Sequence, residues 1–287
     1  MEFFDKYQFS AAKTNFIEAS KKLESPNLKE IALFFVDLIE LYDLWDKFNN
    51  LFINKQPLKN AFRDILNRIN NSDIIKSYFE SDYPLFKQQI KNNSNFLELK
   101  LSRRGMIEFD DVKYYLPDLL NNASRRIEEG KYDDAVARLY RAIELIAQIG
   151  LVNNNLINDQ ILRVNKEFRI NKDAILSLNN YKVDSLIGGW NEYYSKPSKK
   201  NFGVTSNKSF KLLCALDVPF AEEYLKDKKL KSNVNSRNGS ILAHGLNPIN
   251  ENEAIELFNQ VIKYSKDVFP ELEKYMEMSK FPKFSTD

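Results

Sequence analysis

Residues 118–150 read DLLNNASRRIEEGKYDDAVARLYRAIELIAQIG, in which Gly130 separates two runs of helix-forming residues. Gly130 predicts the end of a helix over residues 112–129, because glycine readily adopts the left-handed conformation that closes a helix. Asp133 is a suitable N-cap, so a second helix is expected over residues 132–150, ending at Gly150. This stretch therefore indicates a helical protein.

The rest of the chain has the same character. Only 8 glycines and 9 prolines occur among 287 residues, and apolar residues follow helical spacing far more often than strict alternation. The chain is therefore predicted to be all-α. Further helices are expected over residues 8–23, 28–53, 57–70, 73–93, 207–216, 219–243 and 251–268.

These helices fall into two predicted domains. Residues 1–105 are expected to form an N-terminal helical segment that looks like a tetratricopeptide stack, although no clean repeat is visible. Residues 106–287 are expected to form the second domain. Residues 152–206 carry repeated asparagine, glycine and proline breaks, which indicate an irregular insertion in that domain.

Composition excludes several classes of function. The formal net charge of +2 is close to balance, so any contact with a polyanion must come from a local patch. Cys214 is the only cysteine and His244 the only histidine, which excludes an intramolecular disulfide and a zinc site of ordinary ligand type. No apolar run is long enough to span a bilayer. We expect a soluble cytoplasmic protein with no metal, cofactor or membrane partner.

One short motif carries candidate chemistry. Arg237 and His244 are seven residues apart, in the stretch RNGSILAH, where Gly245 and Pro248 predict a helix end. On a helix this spacing returns both side chains to nearly the same face, about 10 Å apart along the axis. The motif thus offers a permanent cation beside a group that can carry a proton near neutral pH.

A basic region surrounds this motif. Residues 190–237 contain many lysines with interleaved aromatic residues, a composition that suits phosphate contacts and base stacking on single-stranded RNA. Lys228, Lys229 and Lys231 are the candidate RNA-binding residues, with a solvated lysine face as the alternative. Arg141 and Glu144, three residues apart, are interpreted as a structural ion pair.

The 118–151 block, the segment YDLWDKF at 42–48 and the Arg237…His244 motif together resemble CRISPR-associated ribonucleases of type III systems. Those proteins couple a CARF sensor domain to a C-terminal HEPN domain. The resemblance covers about residues 5–270 and implies that residues 106–287 form a HEPN helical bundle. It implies that Arg237 and His244 are the catalytic pair and that Asn238 assists them.

The resemblance also implies a reaction. HEPN ribonucleases are homodimers in which the motif helices of two protomers meet. The expected reaction is attack of an RNA 2′-hydroxyl on the adjacent phosphate, giving a 2′,3′-cyclic phosphate without a metal ion. An arginine suits the phosphorane charge, and a protonated histidine suits the leaving 5′-oxygen. A helix C-terminus would favour the protonated form of His244.

The sensor is the main departure from the family, because no CARF-like segment precedes the helices in this sequence. We therefore expect a sensor that responds to cyclic oligoadenylate to lie in a separate domain or protein. Two alternatives stay open. One is a toxin-type HEPN ribonuclease outside CRISPR immunity, and the other is a non-catalytic helical adaptor that only dimerises or binds RNA.

Overall fold

The computed structural model describes residues 1–48, 57–101, 106–108, 112–157, 161–163, 169–190, 201–230 and 248–284. The chain forms two compact units, one of residues 1–102 with 274–287 and one of residues 103–273. The predicted all-α class is confirmed. The strands among the described residues are three residues long and pair antiparallel, β1 (Met106–Glu108) with β2 (Ile161–Arg163), and β3 (Arg169–Asn171) with β4 (Asn201–Gly203).

The first unit is built from helices throughout its described residues. They are α1 (Glu2–Asp5), α2 (Phe9–Lys22), α3 (Pro26–Asp46), α4 (Leu58–Asn71), α5 (Asp73–Phe79), a 3₁₀ turn (Glu80–Asp82) and α6 (Tyr83–Lys100). The predicted helices at 8–23 and 57–70 are thus confirmed to within a residue. The tetratricopeptide likeness stays a prediction.

Two predicted helices of the first unit differ from the structure. The helix expected over residues 73–93 is broken at Glu80, whose φ of +45° is incompatible with a helix interior. Pro84 has no backbone N–H and fits only the first turn of a helix, so a new helix begins at Tyr83 and runs on to Lys100. The helix expected over 28–53 begins at Pro26, with Ser25 as N-cap, and ends at Asp46. Residues 49–53 of that prediction lie outside the described part of the chain.

The core of the first unit is aromatic. Trp45 and Tyr42 of α3 are fully buried and pack with Phe281 of the C-terminal segment. Asn93 of α6, also fully buried, accepts a hydrogen bond from the Tyr42 hydroxyl and donates to the Met278 and Lys280 carbonyls, both at 2.8 Å. The carboxyl-terminal residues 274–284 are therefore bonded into the first unit.

The described part of the second unit is also mainly helical. Its helices are α7 (Tyr115–Glu128), α8 (Tyr132–Asn153), α9 (Lys172–Ser177), α10 (Tyr181–Ile187), α11 (Ser206–Ala215), α12 (Pro219–Lys226) and α13 (Glu251–Val268); α14 (Leu272–Met278) follows. Of the described residues, no helix is long and apolar enough to cross a membrane. The domain division predicted at residues 105 and 106 stays a prediction.

Gly130 ends α7 as predicted. Its φ is +71°, and the Lys131 N–H donates to the Arg126 carbonyl at 2.8 Å, which closes the helix. The N-cap predicted at Asp133 was wrong: α8 begins at Tyr132 with Lys131 as N-cap. Asp133 lies in the first helical turn instead, where its charge is favourable to the helix dipole.

Other boundaries in the second unit were only partly predicted. The helix expected to end at Gly150 continues to Asn153, and the helices at 207–216 and 251–268 are confirmed. The 152–206 segment contains α9 and α10, which the sequence pattern did not place. The helix expected over 219–243 is interrupted after Lys226, because Asp227 adopts an extended conformation with ψ of 93°. Residues 231–243 of that prediction lie outside the described part of the chain.

Helix α8 is the centre of the second unit, since α7, α11 and α13 all contact it. Its inward face is apolar and fully buried at Leu139 and Ala142, where it meets its neighbours. Helices α11 and α12 contact each other, and α12 also contacts α13. Helix α12 ends shortly before residues 231–247, which contain the predicted catalytic motif, and α13 begins shortly after them.

Candidate functional site

The predicted catalytic residues lie outside the described part of the chain. Arg237, Asn238 and His244, together with the candidate RNA-binding Lys231, fall within residues 231–247. The described residues on both sides define how the chain enters and leaves this motif segment, by which we mean residues 231–247. Both borders are anchored to α13.

Asp227 anchors the entering side. Its backbone N–H donates to the Glu223 carbonyl at 2.9 Å and so closes α12, while its Oδ1 accepts from the Leu230 N–H at 2.8 Å. Residues 228–230 are again helical, and Leu230 is 1% exposed. The second carboxylate oxygen, Oδ2, accepts a hydrogen bond from the Tyr264 hydroxyl of α13 at 2.9 Å. Asp227 therefore closes α12, caps the helical residues 228–230 and is hydrogen-bonded to α13.

Asn250 anchors the leaving side. Its side chain accepts from the Glu253 N–H at 3.0 Å, and the Glu253 carboxylate accepts from the Asn250 N–H at 3.0 Å. This reciprocal capping box fixes where α13 begins. Ile249, just before it, is buried. The chain thus leaves the motif segment at a well-defined helix start.

Two of the three candidate RNA-binding lysines are described, and both are exposed. Lys229 forms an ion pair with Glu256 of α13. Lys228 projects into solvent, and no described acidic side chain is paired with it in an ion pair. The positions of Lys228 and Lys229 directly before the motif segment are compatible with phosphate contacts. Their role in RNA binding stays a prediction.

Surface ion pairs join the same helices. Lys263 of α13 donates to Glu223 of α12 at 2.9 Å, and this hydrogen bond raises the pKa of Lys263. Burial, followed by the hydrogen bond to Asp227, raises the pKa of Tyr264 well above its usual range, so its hydroxyl stays a proton donor at neutral pH. The border of the motif segment is therefore tied to α13 by charged and neutral contacts.

The interpretation of Arg141 and Glu144 as a structural ion pair is confirmed. Arg141 and Glu144 form the expected ion pair at 2.8 Å on the exposed face of α8. Trp45 and Trp190 are 0% and 6% exposed, so both belong to the core. The Lys208 ammonium lies 5.4 Å from the centre of the Trp190 ring. These rings are therefore unavailable as flat platforms for RNA bases.

A polar network that the sequence did not reveal crosses α7 and α8. Arg138 donates from Nε to the buried Asn122 side chain, and from Nη1 to the Asp134 carboxylate at 2.6 Å. Arg126 pairs with Glu129 at 2.8 Å, and both side chains are at most 9% exposed. The Arg138–Asn122 bond therefore joins α8 to α7, whereas the Arg126–Glu129 pair lies at the end of α7.

The geometry defines an all-α protein whose second unit is a helical bundle centred on α8. In the sequence, the arginine–histidine motif lies between α12 and α13. The sequence profile of the family described as the Csm6 HEPN domain matches residues 104–267. Since the match covers more than half of the 287 residues, this chain belongs to that family. A search of curated proteins found no match. The resemblance to CRISPR-associated HEPN effectors is therefore confirmed.

Proposed function

We propose that this protein is an endoribonuclease of CRISPR-linked antiviral defence that cleaves single-stranded RNA without a metal ion. The observation that carries the proposal is the family match over residues 104–267, a range that contains both Arg237 and His244. The HEPN class supports ribonuclease activity, and the motif supplies residues with suitable chemistry.

The proposed reaction needs only the RNA, these side chains and solvent water. The RNA 2′-oxygen attacks the adjacent phosphorus and passes its proton to solvent water, the bond from phosphorus to the 5′-oxygen breaks, and that oxygen takes up the proton of His244, which solvent then restores. Arg237 stabilises the additional negative charge of the phosphorane through paired N–H donors. His244 in its protonated form donates the proton to the 5′-oxygen. Asn238 assists by hydrogen bonding to the phosphate.

The proposed active form is a homodimer in which two motif segments meet, so that each site draws on two arginines and two histidines. Lys228, Lys229 and Lys231 would hold the RNA backbone beside the motif, since exposed ammonium groups bind phosphate without reading sequence. A separate sensor domain or protein that binds cyclic oligoadenylate is proposed as the regulator.

The direct test is cleavage of a fluorogenic single-stranded RNA in EDTA by the full chain and three variants, with and without cyclic oligoadenylate. Arg237→Ala and His244→Ala are each expected to lower kcat by about a hundredfold or more, as loss of one transition-state donor does. Arg141→Ala, which removes an exposed ion pair of the same unit, is the matched control and should leave kcat unchanged. The products should carry 2′,3′-cyclic phosphate ends.

The outcomes separate the alternatives. Unchanged activity in either motif variant would overturn this mechanism. RNA binding without cleavage by the wild-type protein would identify an adaptor instead of an enzyme. Cleavage of cellular RNA in cells that lack CRISPR components would favour the toxin-type alternative.

A further inference from the structure

We propose that Asp227 and Tyr264 are positioning residues that set how the chain enters the motif segment, and thereby place Arg237 and His244. The inference rests on the proposed function for its catalytic consequence. Its structural basis is independent and lies entirely in described residues. Neither residue carries a charge or proton that the proposed reaction uses.

The first observation is that Asp227 belongs to two helical stretches at once. It closes α12 with its backbone N–H and begins the next helical stretch with its side chain, which accepts from the Leu230 N–H at 2.8 Å. An N-cap aspartate fixes the direction of the first helical turn, because it satisfies a donor that has no partner within the helix. The angle at which the chain leaves α12 is thus set at residue 227.

The second observation is that the Asp227 carboxylate cannot rotate without losing a bond. Oδ1 accepts from Leu230, and Oδ2 accepts from the Tyr264 hydroxyl at 2.9 Å. Tyr264 is itself only 2% exposed, so its hydroxyl is held in one place. The Asp227 side chain is therefore oriented by Tyr264 of α13 as well as by the helical stretch that it caps.

The third observation is the packing around Tyr264. Its ring meets the Tyr224 ring edge to face at 5.7 Å between centroids. The Tyr224 ring stacks on Phe210 of α11 at 3.6 Å, and burial raises the pKa of Tyr224 to about 12. Three aromatic rings from α11, α12 and α13 thus pack in series and support the hydroxyl that binds Asp227.

The placement of this support gives it a role beyond stability. Arg237 is seven residues beyond Leu230, and His244 is five residues before Ile249, so the motif lies between two anchored points. Asn250, the N-cap of α13, and Tyr264 are 14 residues apart, which corresponds to about 21 Å along the helix. A change in direction at residue 227 would move the motif relative to its other anchor. Small displacements of this kind cost catalysts about a hundredfold in rate.

The single histidine allows a test that does not depend on cleavage. In the untagged protein, the one histidine Hε1 signal in a proton NMR spectrum belongs to His244. Asp227→Ala removes both side-chain bonds and is expected to shift this signal and its titration midpoint, and to lower kcat about tenfold or more with KM unchanged. Asp227→Asn can keep the cap and a hydrogen bond to the Tyr264 hydroxyl, so it should restore both readouts.

Two further variants keep the test decisive. Tyr264→Phe removes only the hydroxyl, and it serves if the alanine variant does not fold; it should shift the His244 signal in the same direction by a smaller amount. Glu223→Gln breaks the Lys263 ion pair between the same two helices without touching the cap, and is expected to leave the signal and kcat unchanged.

The His244 signal decides the inference. A shift in the Asp227 and Tyr264 variants that is absent from the Glu223 variant supports it, whereas an unshifted signal, even with a lower Tm, would reduce Asp227 to a structural role and overturn it. If Arg237→Ala and His244→Ala keep full activity, the proposed function fails, and the NMR result still decides the positioning role on its own.

Discussion

Gly150 of α8 lies so close to Leu213 of α11 that a Cβ at residue 150 would stand 2.7 Å from the Leu213 Cδ1 atom. That added Cβ would also stand 3.0 Å from the Cζ atom of Phe220 in α12. Leu213 is fully buried, so it has no solvent-filled space to move into. Helices α8, α11 and α12 therefore meet at Gly150, where only a residue without a side chain fits. Helix α8 continues past it to Asn153.

Gly150→Ala should lower the free energy of unfolding by about 1 kcal/mol. Overpacking costs about 1–3 kcal/mol, and the better helix propensity of alanine returns about 1 kcal/mol. Chemical denaturation monitored by circular dichroism measures the difference. Leu213→Val should relieve the crowding. The double variant is therefore expected to lose about 1 kcal/mol less stability than the sum of the losses in the two single variants. An alanine variant as stable as the wild type would contradict this account of the contact.

Two arginines of α8 should differ sharply in their contribution to stability. Arg138→Ala is expected to cost about 2 kcal/mol, because it leaves the buried Asn122 side chain without its charged donor. Arg141→Ala removes only an exposed pair with Glu144 and should cost less than about 0.5 kcal/mol. Thermal unfolding of both variants is the measurement. Equal losses would show that the Arg138 network contributes no more than a surface pair.

The sequence predicted helices where local signals agree with packing. The helix at 251–268 was placed to the residue, and Gly130 was identified as a helix stop because its left-handed conformation is a local requirement. The Arg141–Glu144 pair was also local, since residues three apart on a helix are neighbours. These features need no knowledge of the tertiary fold.

Other features depend on contacts between distant residues, which spacing does not reveal. Gly150 was interpreted as a helix end, although its role is to admit Leu213 from a helix more than 60 residues further along. Asp227 and Tyr264 are 37 residues apart, and nothing in either neighbourhood indicates their bond. Glu80 has a positive φ although it is neither a glycine nor an asparagine, the residue types that usually indicate this conformation in a sequence. Tertiary packing overrides local propensity at such points.

Lys229 offers a test of the candidate RNA contacts through its partner. If Lys229 binds phosphate, its ion pair with Glu256 competes with RNA, and Glu256→Gln should tighten RNA binding by severalfold. Lys229→Ala should weaken binding and reduce the salt dependence of log K by about 0.7 per lost phosphate contact. Fluorescence anisotropy at several salt concentrations measures both. Glu2→Gln, which frees Lys6 in the first unit, is the control, and an equal gain there would assign the effect to net charge.

Cleavage should depend on pH through the single imidazole. If protonated His244 donates to the leaving 5′-oxygen, kcat/KM should fall about tenfold for each pH unit above the pKa of that group, ordinarily about 6.5. The sign follows from the role, because the active form carries the proton and is lost as pH rises. A rate profile from about pH 5 to about pH 9 in EDTA can be compared with an NMR titration of His244 in the same buffer, since no other histidine contributes a signal. Agreement of the two midpoints would assign the ionisation to His244. A flat profile, or a rate that rises through the NMR midpoint, would remove His244 from the role of proton donor while leaving Arg237 as the phosphate-binding residue to be tested separately.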